Sequence, residues 1–150
     1  MSLRYLAVKT AFFLAVASLH LNASNAADSK CVEYGPTIVT LSGTITRHLE
    51  YGPPNYGEDP AHDAKEVYWY LQLENPICVN GKQQHFGERS EDIVGENNVR
   101  MIQIVYMEGY PNGDRWINHR ASITGTLFHA ITGHHHTKIL INAIDTAAAT

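Results

Sequence analysis

Four of the nine histidines fall close together, at His129, His134, His135 and His136. Imidazole is the side chain whose charge changes nearest neutrality. On an extended hairpin His134 and His136 point one way and His135 the other, with His129 facing them from the opposite strand. Neutral imidazoles at His129, His134 and His136, with a water in the fourth position, would suit zinc, copper or nickel. No acid or cysteine at ligand spacing completes the set. The competing reading is a polar hairpin tip whose imidazoles bond neighbouring groups, and a third is a pH-sensitive contact surface.

A second concentration lies upstream, where Tyr51, Tyr56, Glu58, Asp59, His62, Asp63, Lys65 and Glu66 share one stretch. Sugar and peptide sites use rings for stacking and carboxylates for hydrogen bonds. Ordered surface loops use the same residues. Carboxylates such as Glu58 and Glu66 cleave glycosides only at a fixed separation. No nucleophile elbow, Ser/His/Asp order, phosphate-cradling glycine loop or His-Glu-x-x-His helix is present. A binding role therefore outranks an enzymatic one, with an envelope hydrolase as the residual alternative.

The elements that must position these residues read as strands. Val39, Leu41, Gly43 and Ile45 alternate with Thr40, Ser42, Thr44 and Thr46, the period of a half-buried strand. Residues 51–65 carry three prolines and two glycines without periodicity and form a long loop. Alternation returns with Val67, Trp69, Leu71 and Leu73 against Tyr68, Tyr70, Gln72 and Glu74, until Asn75-Pro76 stops it. Ile77 to Val79 then lead to an Asn80-Gly81 turn. Ser90 could cap one helical turn before Gly95, and no long helix is expected. Val99 to Met107 suits a doubly buried strand, followed by a loop tip over Tyr110 to Asp114. Ala121, Ile123, Gly125 and Leu127 alternate again, and a turn through Thr132, Gly133 and His134 leads to a last strand with Ile139, Ile141 and Ala143.

Gly43 and Gly125 each stand in mid-strand, which weakens a strand unless the backbone bends or approaches another closely. The expected fold is mainly β: a small antiparallel barrel of five to six strands resembling an oligonucleotide/oligosaccharide-binding (OB) barrel, with a small sandwich as the alternative. Trp69 and Trp116 belong to its core, and Tyr68 and Tyr70 either lie beneath the long loop or form an exposed stacking platform.

The chain has 150 residues with 44% hydrophobic and 17% charged, one domain's worth. Arg4 and Lys9, an apolar run from Ala11 to Leu21 and the small residues Ser24, Asn25 and Ala26 form the three zones of a signal peptide over residues 1–26. The run is shorter than the ~20 residues of a spanning helix. Residues 27–150 are expected as one exported domain, periplasmic or secreted, with no membrane span after cleavage. The full chain has net charge −4; losing Arg4 and Lys9 makes it more acidic, which argues against nucleic acid. Cys31 and Cys78, an even pair in an oxidising compartment, should form a disulfide.

The run Gly125-Thr126-Leu127-Phe128-His129-Ala130-Ile131-Thr132-Gly133-His134-His135-His136-Thr137, with Gly52-Pro53-Pro54-Asn55-Tyr56-Gly57-Glu58 and Asp63-Ala64-Lys65-Glu66 upstream, resembles an uncharacterised family of exported bacterial proteins, domain of unknown function 4431. The resemblance spans most of residues 31–144. It implies an exported β-rich domain without a settled activity and carries over no catalytic residue. If its motif positions mark a site, the matching ones are Tyr56, Glu58, Asp63, Lys65, His129, His134, His135 and His136. The expected function is a disulfide-closed binding protein, with loop 51–66 and hairpin 129–137 on one face. Its partner would be another exported protein that it inhibits or protects, or a small polar ligand. A carrier of zinc, copper or nickel is the alternative.

Overall fold

A computed structural model describes residues 31–86, 89–106 and 113–149, with backbone alone for 84–86, 89–90 and 113. The signal segment and most of the 110–114 tip lie outside the described residues. The strands are β1 (Val32–Glu33), β2 (Ile38–Tyr51), β3 (Lys65–Asn80), β4 (Lys82–Phe86), β5 (Arg89–Ile93), β6 (Glu96–Tyr106), β7 (Arg120–His129) and β8 (Ile139–Ala148). One 3-10 turn, Gly113–Trp116, is the sole helical element among the described residues.

Five strands close on themselves: β2 pairs with β3, β3 with β6, β6 with β8, β8 with β7, and β7 with β2. This is a small Greek-key barrel of the OB kind. Four seams are antiparallel, while β6 and β8 run parallel. Parity requires such a seam, because directions cannot alternate all the way round an odd ring. Short β1 adds a sixth strand, parallel to β3, and the Cys31–Cys78 disulfide fastens it there.

Inward alternation builds the core as expected. Leu41 and Ile45 of β2 meet Leu71 and Leu73 of β3, Ile102 and Ile104 of β6, Ile123 and Leu127 of β7, and Ile139 and Ile141 of β8, all buried. Trp69 and Trp116 pack partly buried against this cluster. At Gly43, β2 exchanges partners, pairing with both Leu73 of β3 and Ala121 of β7. A Cβ there would overlap the Gln72 carbonyl oxygen, and one at Gly125 the Asn142 carbonyl oxygen. Both glycines thus serve close backbone approach, and the β7–β8 register shifts between Thr124 and Gly125.

Two local expectations change. Asn75-Pro76 does not end its strand, since β3 continues to Asn80 through register shifts between Gln72 and Val79. An irregularity of this kind accommodates a proline that cannot donate to a ladder. Ser90 caps no helical turn and instead lies in the β4–β5 hairpin. Gly81 and Gly95 cross closely at the base of that hairpin, where a Cβ on Gly81 would come within 2.9 Å of the Gly95 nitrogen.

Candidate functional site

The long loop joins β2 to β3, and the histidine-rich segment joins β7 to β8. In OB barrels these two connections flank the ligand-binding wall. Here they meet on the outer surface of β2 and β3. Strand alternation sends His48 and Glu50 from β2, and Glu66, Tyr68 and Tyr70 from β3, away from the core.

Buried Gln103 of β6, 2% exposed, fixes the hairpin against the barrel. Its side-chain amide donates to the His134 carbonyl at 2.9 Å and its oxygen accepts the His136 N–H at 2.7 Å. Its backbone N–H donates to the Thr137 hydroxyl at 2.9 Å. These bonds satisfy a polar side chain that would otherwise be costly to bury. They also set His134 and His136 over the wall.

Asp63 organises the loop. Nearly buried at 8%, its carboxylate accepts the N–H groups of Asn55 at 2.8 Å, Gly57 at 2.7 Å and Asp59 at 3.3 Å. Burial works against its ionisation, yet the amides of Gly57, Asn55 and Asp59 prevail and hold its pKa below the ordinary value. Asn55 and Gly57 bracket Tyr56, whose φ of 52° is left-handed and uncommon for a bulky residue. The Tyr56 ring lies against Gly133, where a Cβ would approach to 2.9 Å. Gly52 gives the same clearance to Glu66, whose carboxyl carbon would stand 2.5 Å from a Cβ.

The centre is Glu66, Tyr68 and His134. The Tyr68 hydroxyl donates a short bond to Glu66 Oε2. His134 Nδ1 lies 3.0 Å from Glu66 Oε2 and 2.9 Å from the Tyr68 oxygen. Because an ionised carboxylate only accepts, Nδ1 carries the proton. The other ring nitrogen, Nε2, faces the Tyr56 hydroxyl 3.4 Å away. The Tyr68 bond depresses the Glu66 pKa against the effect of burial, and His134 adds to it. Burial and Glu66 push the Tyr68 phenol up, so it remains a neutral donor. Beside it, Tyr70 is 1% exposed, donates to Glu50 Oε1 at 2.9 Å and packs 4.7 Å from the His48 ring. The tyrosines are thus built into the wall rather than forming an open platform.

The other sequence-derived positions take different places. His136 packs 4.8 Å from the Tyr68 ring, and its Nε2 is buried without a hydrogen-bond partner among the described residues. His129 lies near Glu96, with 3.8 Å between Nε2 and Oε1, and edge-on to Tyr34. Among the described residues no three His, Cys, Asp or Glu side chains are grouped to hold a metal ion. His135 staples the hairpin tip, its Nδ1 accepting the Ile131 N–H at 2.9 Å and the Thr132 N–H at 3.3 Å. Glu58 and Lys65 are exposed at the loop's margin.

Residues 101–148 match a family model described as Domain of unknown function (DUF4431). The match runs through most of β6, β7, the hairpin and β8, including Gln103, His134 and His136, and supports the resemblance seen in the sequence. Comparison with curated proteins and with solved structures gives no match.

Proposed function

We propose that this chain is an exported binding protein that grips another exported protein through the wall formed by Tyr56, Glu66, Tyr68 and His134, inhibiting or shielding it. The carrying observation is the convergence of the two connections, with the Tyr56 ring on Gly133 and its hydroxyl facing His134. The wall is preorganised: Asp63 sets Tyr56, Gln103 sets His134, and Tyr68 holds Glu66 ionised. Preorganisation lowers the ordering cost of association.

The face also selects by charge. It offers the Glu50 and Glu66 carboxylates as acceptors, on an acidic chain. The complementary partner surface presents cationic or donor groups, a pairing that speeds encounter and excludes acidic competitors. Export is supported by the three-zone N-terminus and by a disulfide of the kind oxidising compartments sustain.

The test places a photo-crosslinking residue at Glu58, at the margin of the face, and compares adducts formed in envelope extract by the parent and by its Tyr56→Ala and His134→Ala variants. The reading expects one discrete adduct that both variants reduce at least tenfold while each keeps a cooperative thermal melt. Equal adduct yield from all three proteins would refute it. N-terminal sequencing of the exported protein should begin at Ala27; retention of residues 1–26 would refute export by this signal.

A further inference from the structure

A cleft of about 370 Å3 opens between the β4–β5 hairpin and the β7–β8 connection. It shares no residue with the wall described above. Tyr34, Ile93, Leu127, Phe128 and Ile131 give it apolar sides, and Lys82 enters it. The Tyr34 hydroxyl is occupied by the Val94 carbonyl at 3.1 Å, so the ring is what faces the cleft. Ile131, 80% exposed, stands at its rim.

Lys82 gives the cleft its specificity. Its ammonium donates to the Gly35 carbonyl, leaving two of three donors for other partners. Among the described residues the carboxylates that form ion pairs do so with other cations, not with Lys82. A cation beside apolar walls, on an acidic chain, is matched by an anion with an apolar body. An adjoining cleft shares Ile93, His129 and Ile131 and adds Glu91 and Asp92, which repel a second negative charge. The volume lies near the lower end of the ~300–1,000 Å3 typical of small-molecule sites. That size suits one slender chain with its head rather than a bulky ring system.

We propose that this cleft binds a medium-chain carboxylate, its head on Lys82 and its chain along Ile93, Leu127, Phe128 and Ile131. The experiment titrates decanoate, below its micellar concentration, into methyl-labelled protein and follows the Ile93, Leu127 and Ile131 methyl signals. Saturable shifts at those methyls are expected. Decan-1-ol should bind at least tenfold more weakly. Lys82→Met should weaken decanoate at least tenfold and leave decan-1-ol unchanged, and Lys82→Arg should retain decanoate. Absence of shifts, or equal decanoate affinity in Lys82→Met, would overturn the proposal. Tyr56→Ala should bind decanoate like the parent, so this site and the protein-binding wall stand or fall separately.

Discussion

Tyr56 adopts a left-handed backbone because Asp63 collects the amides on either side of it, and this one carboxylate decides whether the ring reaches the hairpin. Asp63→Asn keeps the shape but replaces an acceptor oxygen by a donor facing amides that need acceptors. Proteinase K cleavage within residues 52–64 is expected to rise at least several-fold; unchanged cleavage would show that the loop does not depend on Asp63. The same group sets a pH dependence. The folded-state pKa values of Asp63 and Glu66 lie below their ordinary values. Their stabilisation is therefore complete above the unfolded values near ~4 and disappears as pH falls through the folded ones. Burial holds the His135 imidazole pKa below its ordinary value, so urea midpoints should begin to fall as pH drops below about 6.5, and fall further below about 5 as the two carboxylates take up protons. An Asp63→Asn, Glu66→Gln double variant should be less stable at pH 7 and show a shallower acid decline; an undiminished decline would assign it to other groups.

At the scale of elements, the bends at Gly43 and Gly125 close the barrel. Gly43→Ala and Gly125→Ala each force a Cβ onto a carbonyl oxygen of the adjacent strand, and each should cost about 3 kcal/mol in urea unfolding, the upper range for overpacking. Gly133→Ala displaces the Tyr56 ring and leaves the core untouched, so it should cost far less; equal losses at all three positions would contradict the distinction. The two mid-strand glycines were legible in the sequence because strand alternation continued through them. So were the long loop and the histidine hairpin, marked by proline, glycine and the break in period two. Gln103 was not, because a glutamine inside an apolar run carries no signal until the β7–β8 hairpin folds over it. The pairing of Glu66 with Tyr68 was latent in their shared strand face. The second donor to Glu66, His134, arrives from 68 residues away and carries no signal in the local sequence. The helical turn expected at Ser90 failed because strand pairing with β4 overrode a local capping preference.

For the whole molecule, the disulfide, the parallel seam and the two connections form one arrangement. Cys31–Cys78 spans 47 residues and, in the chain-entropy view, contributes up to about 4 kcal/mol. Replacing both cysteines by alanine should lower the urea midpoint accordingly and leave the parent's reductant sensitivity absent; a midpoint unchanged by reduction of the parent would show that the bridge is energetically idle. Ring closure brings β2–β3 and β7–β8 to adjacent positions, and this is why segments distant in sequence face each other. The most direct measurement is a nuclear Overhauser spectrum of the protein in solution. Cross-peaks between the Tyr56 ring and both the Gly133 α-protons and the His134 ring are expected, vanishing in Tyr56→Ala while core cross-peaks persist. Their absence from a protein whose core cross-peaks are intact would mean that loop and hairpin do not form one face.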